Sequence, residues 1–323
     1  MRALVCSSFD GLDGVAVGEL PEPELRAGGA RIAVRAAAVN FPDLLMIRGL
    51  YQERPDLPFA PGAEVAGDVI EVAGDVSSVQ VGDRVYAPVG HGGYAEQVVV
   101  DEGAVMPVPE DMPYDVATTL PLAYGTAYHA LVDRGDLRSG QTLLVLGAAG
   151  GVGLAATEIG TALGARVIAA VSSDEKAEAV RDGGAADVVR YDERDLREAL
   201  RELAPDGVDV VLDPVGGPAT EAALRSTAWN GRLLIVGFAS GDIPSIPANL
   251  PLLKGCAVVG VFWGRFAATE PLRNRRNFET LGSWWLDGRI DPLVSRTYDL
   301  DHATDALRRI GGREAIGKLV ILP

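Results

Sequence analysis

Cysteine is almost absent from this chain, which has only Cys6 and Cys256 among its 323 residues. Two cysteines can build neither a disulfide framework nor a cysteine-rich zinc site. The apolar stretch at the N-terminus is also too short for a secretory signal peptide. Together these features predict a protein of the reducing cytoplasm.

Histidine is equally scarce, with His91, His129 and His302 far apart in the sequence. None of them stands at ligand spacing from a cysteine. A catalytic zinc usually takes three protein ligands. We therefore expect no metal site.

An excess of positive charge and a long apolar run are the other missing features. The formal net charge is −16. The chain therefore lacks the excess of positive charge that would attract nucleic acid or an anionic membrane surface. One uncharged run, residues 141–157, is interrupted by four glycines. A strand, a glycine turn and a helix explain that run better than a membrane span. We expect neither nucleic acid nor a membrane as a partner.

The chain is long enough for two domains, and its pattern of predicted strands, turns and helices changes along the sequence. In residues 1–120, short β-like runs alternate with Gly/Pro turns, which is typical of a β-rich domain. In residues 121–260, apolar strands alternate with helices, which predicts βαβ units around a parallel sheet. Residues 261–323 add helix, loop, helix and a final strand. The predicted class is α/β.

Within residues 121–260, a glycine-rich turn joins the first predicted strand to the helix that follows it. A pyrophosphate needs close backbone approach and free N–H groups at a helix N-terminus, and glycines permit both. Against the pattern G-x-G-x-x-G, Ala148 occupies the first glycine position, and Gly150 and Gly153 keep the other two. The turn is therefore a variant dinucleotide motif, and the alternative is a tight packing turn without a ligand.

The end of the next strand bears on which dinucleotide is bound. An acidic residue there would bind ribose hydroxyls and indicate NAD. Instead Ser172 and Ser173 follow the strand, and Lys176 follows them. A lysine near a helix start can hold a 2′-phosphate, which favours NADPH. Two alternatives stay open: Lys176 is one more solvated residue, or Asp174 or Glu175 turns towards the ribose.

Eight short motifs fall in order along nearly the whole chain. They are Asn40-Phe41-Pro42-Asp43-Leu44-Leu45, Arg48-Gly49-Leu50-Tyr51, Pro58-Phe59-Ala60-Pro61-Gly62-Ala63-Glu64-Val65-Ala66-Gly67, Val81-Gly82-Asp83-Arg84-Val85, Gly92-Gly93-Tyr94-Ala95-Glu96, Tyr124-Gly125-Thr126-Ala127, Ala148-Ala149-Gly150-Gly151-Val152-Gly153 and Gly317-Lys318-Leu319-Val320. This set resembles the zinc-free quinone oxidoreductases (the ζ-crystallin type) of the medium-chain dehydrogenase/reductase superfamily. Enoyl-thioester reductases of the same superfamily share most of it. Zinc alcohol dehydrogenases carry a cysteine where Asn40 stands.

The resemblance implies a GroES-like catalytic domain (residues 1–120) interrupted by a Rossmann NADPH-binding domain (residues 121–260). Residues 261–323 would then return to complete the catalytic domain, and the cofactor would lie in the cleft between the domains. It also implies a homodimer paired through the Rossmann sheets.

The resemblance also implies the cofactor-binding residues. Asn40 and Thr126 would lie near the nicotinamide. Ala149, Gly150, Gly151 and Val152 would surround the pyrophosphate. Ser172, Lys176, Tyr191 and Arg313 would surround the 2′-phosphate, where the sequence itself offers Ser173 as a further hydroxyl donor. Phe238, Phe262, Trp263 and Gly264 would line the nicotinamide and ribose, with Lys318 close by.

The expected lack of zinc ligands favours a conjugated acceptor. Hydride addition to a plain ketone makes an alkoxide that zinc would stabilise, whereas a quinone or enone spreads the charge and needs only hydrogen-bond donors. Asn40 and Tyr51 are the candidate donors, with Asp43 in support. In the alternative interpretation, all three residues have structural roles. Asp43 caps a short helix, Tyr51 packs in the wall of the cleft, and Asn40 forms hydrogen bonds that a bend in the chain requires.

Three functions follow as hypotheses. The first is an NADPH-dependent quinone reductase. The second is an enoyl-thioester reductase of the acryloyl- or crotonyl-CoA type, for which Arg273, Arg275 and Arg276 would form a basic entry patch. The third is a non-catalytic NADPH-binding protein, since a fold alone does not prove catalysis.

Overall fold

The computed structural model describes all residues from Met1 to Pro323 and contains fifteen β-strands and eleven α-helices. The strands are β1 (Arg2–Cys6), β2 (Val15–Glu19), β3 (Gly29–Ala38), β4 (Glu64–Val72), β5 (Arg84–Pro88), β6 (Gln97–Asp101), β7 (Met106–Pro107), β8 (Thr142–Leu146), β9 (Arg166–Val171), β10 (Asp187–Arg190), β11 (Val208–Asp213), β12 (Thr227–Ile235), β13 (Ala257–Gly260), β14 (Val294–Asp299) and β15 (Lys318–Leu322). The helices are α1 (Phe41–Met46), α2 (Tyr114–Ala117), α3 (Gly125–Tyr128), α4 (Gly151–Ala162), α5 (Asp174–Asp182), α6 (Leu196–Leu203), α7 (Pro218–Arg225), α8 (Asn249–Lys254), α9 (Trp263–Thr269), α10 (Pro271–Leu286) and α11 (Ala303–Gly311).

The chain divides into two compact units. The first contains Met1–Leu122, Phe278–Leu286 and Pro292–Pro323, and the second contains Ala123–Asn277 and Asp287–Asp291. Each unit has its own sheet and its own apolar core. None of the helices combines the length and the apolar character that a membrane span requires.

The first unit is built on a seven-stranded sheet of order β14-β15-β3-β4-β5-β7, with β6 also paired to β3. Its longest strand, β3, pairs with β4, β6 and β15. The last strand of the chain therefore lies beside one of the first, because Val320 and Ile321 pair antiparallel with Ala38 and Ala37. This pairing brings the start of β15 to the end of β3, where the first site residues follow.

The second unit is built on a parallel six-stranded sheet of order β10-β9-β8-β11-β12-β13. Counted from β8, this is the order 3-2-1-4-5-6 of a doubly wound dinucleotide-binding sheet. The central strand β8, with the sequence TLLVL, is buried from Leu143 to Leu146. Strands covered on both faces are continuously apolar in this way. The parallel sheet predicted from the strand–helix alternation is thus confirmed.

The unit boundaries differ from the predicted divisions after residues 120 and 260. The second unit keeps the chain up to Asn277, because that segment packs on the helical stretch before β8. The ring of Phe266 stacks on His129 with centroids 3.9 Å apart. The Asn277 side-chain amide donates to Asp133 Oδ2 at 2.8 Å. The return to the first unit begins at Phe278, whose ring meets Tyr86 edge-on at 5.8 Å.

Candidate functional site

Two glycines of the turn between β8 and α4 are required by the backbone conformation and the packing of the turn. Gly147 has a φ of +58°, the left-handed region that favours glycine. A Cβ at Gly153 would lie 2.3 Å from the Gly147 carbonyl oxygen, so the close packing of helix on turn excludes any side chain there. At Gly150, by contrast, a Cβ would meet nothing nearer than 3.5 Å.

Internal packing therefore does not explain the glycine at position 150. Gly150 is the N-cap of α4 at an ordinary φ of −76°. The backbone N–H groups that follow it open the helix, where they have no intrahelical acceptor. A glycine that leaves room above a helix N-terminus suits the close approach of a phosphate. The residues present thus fit a dinucleotide pyrophosphate.

The predicted 2′-phosphate residues of the second unit lie together at the carboxyl ends of β9 and β10. Ser173 caps α5, and its Oγ accepts from the Lys176 backbone N–H at 3.3 Å. Lys176 Nζ donates to Ser172 Oγ at 3.2 Å. Tyr191 follows β10, is 43% exposed, and donates its backbone N–H to the Val171 carbonyl at 3.1 Å. A hydroxyl, an ammonium and an exposed aromatic ring thus share one edge of the sheet.

The acidic alternatives at this edge are directed elsewhere. The Asp174 carboxylate forms an ion pair with Arg190, and its side chain is 95% exposed. Glu175 is exposed on the first turn of α5. In this structure neither competes with Lys176 for the position beside Ser172.

Of the remaining predicted residues of the second unit, all but Thr126 lie in or just after the loops that follow β12 and β13. Phe238 is half-buried, and Phe262 is 54% exposed at the start of α9, just ahead of Gly264. Trp263 is buried, and its indole N–H donates to Asn274 at 3.1 Å, so it acts as an anchor of α9. Thr126 is half-buried on α3. All but Thr126 follow the carboxyl ends of parallel strands, where sheets of this type bind ligands.

In the first unit, Asn40 occupies the turn between β3 and α1, and its side chain is held at both ends. Its Nδ2 donates to Glu64 Oε1 at 2.8 Å and to the Ala38 carbonyl at 3.2 Å. Its Oδ1 accepts from Lys318 Nζ at 2.6 Å. A carboxylate on one side and an ammonium on the other allow only one amide orientation. The Asn40 side chain is therefore fixed in orientation, and both of its amide protons are used in hydrogen bonds within the protein.

Lys318 and Glu64 form an ion pair at 2.9 Å with side chains only 4% and 0% exposed. Lys318 Nζ donates further to the Val39 carbonyl at 3.2 Å, so Val39, Asn40 and Glu64 take all three of its protons. Glu64 Oε2 accepts from the Leu122 backbone N–H at 2.7 Å. In the structure Lys318 orients the Asn40 side chain, and its position close to the cofactor stays a prediction.

Glu64 is the site residue that sequence reasoning missed. It stands at the start of β4, whose first four residues are buried, and is itself fully buried. Ionised residues are almost never fully buried unless they are paired. A charged residue followed directly by Val65, Ala66 and Gly67 at the start of a strand was therefore an available signal that a cationic partner existed elsewhere in the chain.

Asp43 lies beside Asn40 and is fully buried. Its Oδ2 accepts from the Asn40 backbone N–H at 2.8 Å and from the Tyr94 hydroxyl at 2.6 Å, whereas its Oδ1 has no hydrogen-bond partner. Burial raises the pKa of this carboxyl from 3.8 to about 6, against the opposing effect of the Tyr94 and Asn40 hydrogen bonds and of Lys318. Asp43 thus caps α1 and also carries an acceptor oxygen left unused by the protein.

Tyr51 is half-buried and packs against the core of the first unit. Burial raises the pKa of its hydroxyl, and the charges of Glu53 and Asp43 raise it further. The hydroxyl is therefore protonated at neutral pH and able to donate. Arg313 lies on an exposed turn after α11, at a φ of +59°. Its predicted contact with a 2′-phosphate stays a prediction.

The structure brings together no group of three or more His, Cys, Asp or Glu side chains that could hold a metal ion. Asn40 and Glu64 are instead joined by Lys318. Its ammonium provides the positive charge at this position.

Comparisons with known proteins agree with this geometry. Residues 26–110 match the family described as alcohol dehydrogenase GroES-like domain, and residues 151–277 match the family described as zinc-binding dehydrogenase. The chain is 38% identical over 322 residues to quinone oxidoreductase-like protein 2 of Bos taurus, which covers 99% of this chain and 92% of that protein.

Two solved structures superpose on the full chain. Mycobacterial Rv1454c complexed with NADPH is 32% identical, with a TM-score of 0.94 and 100% of both chains covered. Escherichia coli quinone oxidoreductase complexed with NADPH is 26% identical, with a TM-score of 0.93 and 100% of both chains covered. The predicted GroES-like and Rossmann fold class is confirmed.

Removing one partner of the buried ion pair should destabilise the protein strongly. Lys318→Met leaves Glu64 buried without a counter-charge, and we expect a loss of ~3–5 kcal/mol in the free energy of unfolding. The double variant Glu64→Gln/Lys318→Met removes both charges and should recover much of that loss. Urea denaturation at pH 7 measures both. Lys254→Met, at a partly exposed lysine, is the matched control; a loss equal to that of Lys318→Met would contradict the prediction.

The buried Asp43 should make stability depend on pH. Its folded pKa of about 6 lies above the ordinary 3.8, so the native state binds the proton more tightly than the unfolded chain. Its contribution is present below pH ~4 and is lost as the pH rises to ~6, a change of ~3 kcal/mol at ~1.4 kcal/mol per pKa unit.

The measurement is urea denaturation between pH 4 and 7 for the wild type and Asp43→Asn. The variant should lack this fall in stability. Burial also raises the pKa of Glu158, to about 7, but that residue is present in both proteins and cancels in the difference. Parallel pH profiles would show that Asp43 is not the group responsible.

Proposed function

Because the chain belongs to the zinc-free quinone oxidoreductase branch of the medium-chain dehydrogenase/reductase superfamily, we propose that it is an NADPH-dependent reductase acting on a quinone or similar conjugated carbonyl. The observation that carries the proposal is Lys176 Nζ at 3.2 Å from Ser172 Oγ. This ammonium stands at the carboxyl end of β9, where an acidic residue would hold the ribose of NAD. Two solved relatives were determined in complex with NADPH.

The first unit supplies groups suited to an oxygen that becomes negative. NADPH, when bound, supplies a hydride, and a quinone that accepts it together with one proton becomes a hydroquinone. The Tyr51 hydroxyl is protonated and has no hydrogen-bond partner within the protein, so it is the available donor to the developing oxyanion. Solvent water delivers the balancing proton.

Asn40 and Asp43 act differently in this proposal from Tyr51. Both protons of the Asn40 amide are committed, so it contributes a fixed dipole instead of a new hydrogen bond. Asp43 holds the Asn40 backbone and the start of α1. Its Oδ1 has no hydrogen-bond partner, and because the carboxyl is fully buried we assign it no contact with the substrate.

An enoyl-thioester reductase is the second hypothesis, and Arg273 of its predicted basic entry patch already has acidic partners in the structure. Arg273 forms ion pairs with Asp133 at 2.7 Å and with Glu270 at 3.4 Å, so its charge is already balanced. The third hypothesis, a non-catalytic NADPH-binding protein, differs from the proposed reductase only in that the bound NADPH would not reduce any acceptor. Both alternatives are outcomes of the activity measurement below.

The test is steady-state oxidation of NADPH and NADH by the purified protein with a quinone panel, crotonyl-CoA and acryloyl-CoA. We expect turnover with NADPH and quinones. Lys176→Gln should raise the KM for NADPH about tenfold and leave that for NADH unchanged, because a charge-assisted hydrogen bond to the 2′-phosphate is lost.

Arg181→Gln, at an exposed cation in the last turn of the same helix, is the matched control. An NADH preference in the wild type would contradict the role of Lys176. Faster turnover with an acyl-CoA would favour the enoyl reductase. NADPH binding without turnover on any acceptor would favour the binding protein.

We also propose that the protein is a homodimer that pairs through β13. This strand lies at the edge of its sheet and pairs with no strand but β12; on its open side the Gly260 carbonyl accepts from Arg134 Nε at 3.2 Å, and no other strand covers it. Large apolar side chains near this end of the sheet are exposed, namely Trp229 (73%), Leu252 (78%), Leu253 (73%) and Val258 (40%). Exposed edge strands pair readily with a second chain, and a two-fold axis would align two copies of β13 antiparallel.

Light scattering after size exclusion should give twice the chain mass of 33.8 kDa. The double variant Leu252→Glu/Leu253→Glu should give the monomer, because four buried carboxylates would face each other without partners. Leu272→Glu, at a leucine that is 77% exposed on α10, should leave the mass unchanged. A monomeric wild type would refute the proposal.

A further inference from the structure

A small cavity in the first unit lies apart from the Asn40 cluster. It has a volume of about 300 Å³ and is lined by residues of β14, α11 and the turn after α11: Arg296, Tyr298, Asp305, Arg308, Arg309 and Glu314. Three guanidinium groups around one cavity are unusual in a chain with a net charge of −16. Neither the hydride-transfer proposal nor the dimer proposal uses any of these residues.

Two lining groups are buried without a partner. The Tyr298 side chain is 8% exposed, and its hydroxyl makes no hydrogen bond; the same holds for the buried Nε of Arg309. Both groups carry a proton to donate, and Arg309 Nε can do nothing else. Buried donors that stay unsatisfied cost stability. An acceptor inside the cavity would satisfy both.

The charge around the cavity favours an anionic acceptor. Arg308 is neutralised by an ion pair with Asp305 one turn earlier. Arg296 lies over the Tyr298 ring, 5.2 Å from its centroid, and forms no ion pair. Arg309 also has no carboxylate within ion-pairing distance, and Glu314 contacts it through a backbone hydrogen bond of 3.1 Å. Two unneutralised guanidinium groups therefore face one remaining carboxylate.

We propose that this cavity binds a small phosphate-bearing anion at a site separate from the dinucleotide turn of the second unit. Guanidinium groups bind phosphate oxygens with paired N–H donors, and the Tyr298 hydroxyl supplies a further donor. The volume lies at the lower limit of small-molecule pockets. It suits inorganic phosphate or a small phosphate monoester and is too small for a dinucleotide.

Isothermal titration calorimetry at constant ionic strength tests the site, with inorganic phosphate, glycerol phosphate and succinate as probes, each with and without saturating NADPH. We expect saturable phosphate binding that NADPH does not displace. Arg309→Gln should weaken it about tenfold or more, since a charged donor is lost. Tyr298→Phe should weaken it severalfold.

Thermal unfolding distinguishes lost binding from lost folding. Tyr298→Phe removes a buried unsatisfied hydroxyl, so without phosphate its Tm should equal or exceed that of the wild type. Arg26→Gln, at an exposed ion pair with Asp101, is the control and should leave phosphate binding unchanged. Equal phosphate affinity in all variants, displacement of phosphate by NADPH, or preferred binding of succinate would each overturn the proposal.

Discussion

The buried ion pair between Lys318 and Glu64 determines the geometry of the first unit's site. Removing two charges from water is costly, and the pair persists only because hydrogen bonds satisfy each of its polar atoms. Those bonds join the end of β3, the start of β4 and the start of β15. Strand pairing between β15 and β3 places Lys318 where it reaches both neighbours. The last strand of the chain thus fixes the first residue of the site.

The orientation of Asn40 follows from that pair, and so do the roles left to its neighbours. With the Asn40 amide fully engaged, the groups of this cluster without a protein partner are the Tyr51 hydroxyl and Asp43 Oδ1. One is a protonated donor and the other a buried acceptor whose pKa is about 6. In the proposed reduction, such a site would stabilise charge through preorganised dipoles and would need no general base with a pKa near 7.

Local patterns were enough to predict the second unit, and long-range contacts explain what was missed in the first. The strand–helix alternation and the glycine run are short-range signals, and they predicted the parallel sheet and the tight turn between β8 and α4. Glu64 and Lys318 are 254 residues apart, and no periodicity records such a pairing. The left-handed backbone at Gly147, one residue before the motif, depends on the turn geometry and not on residue type alone. The boundary at Asn277 depends on tertiary packing between α9, α10 and His129.

Both proposed anion sites would have to work against the net charge of the chain. A charge of −16 repels a phosphate at long range, and salt reduces this repulsion beyond about 10 Å. Attraction must therefore come from groups in direct contact, where a lower local dielectric strengthens each hydrogen bond. The second unit presents helix N–H groups, a lysine and a serine. The cavity of the first unit presents guanidinium groups and a buried hydroxyl. In both places the binding groups are positioned by the fold before any anion arrives, so little ordering remains to oppose binding.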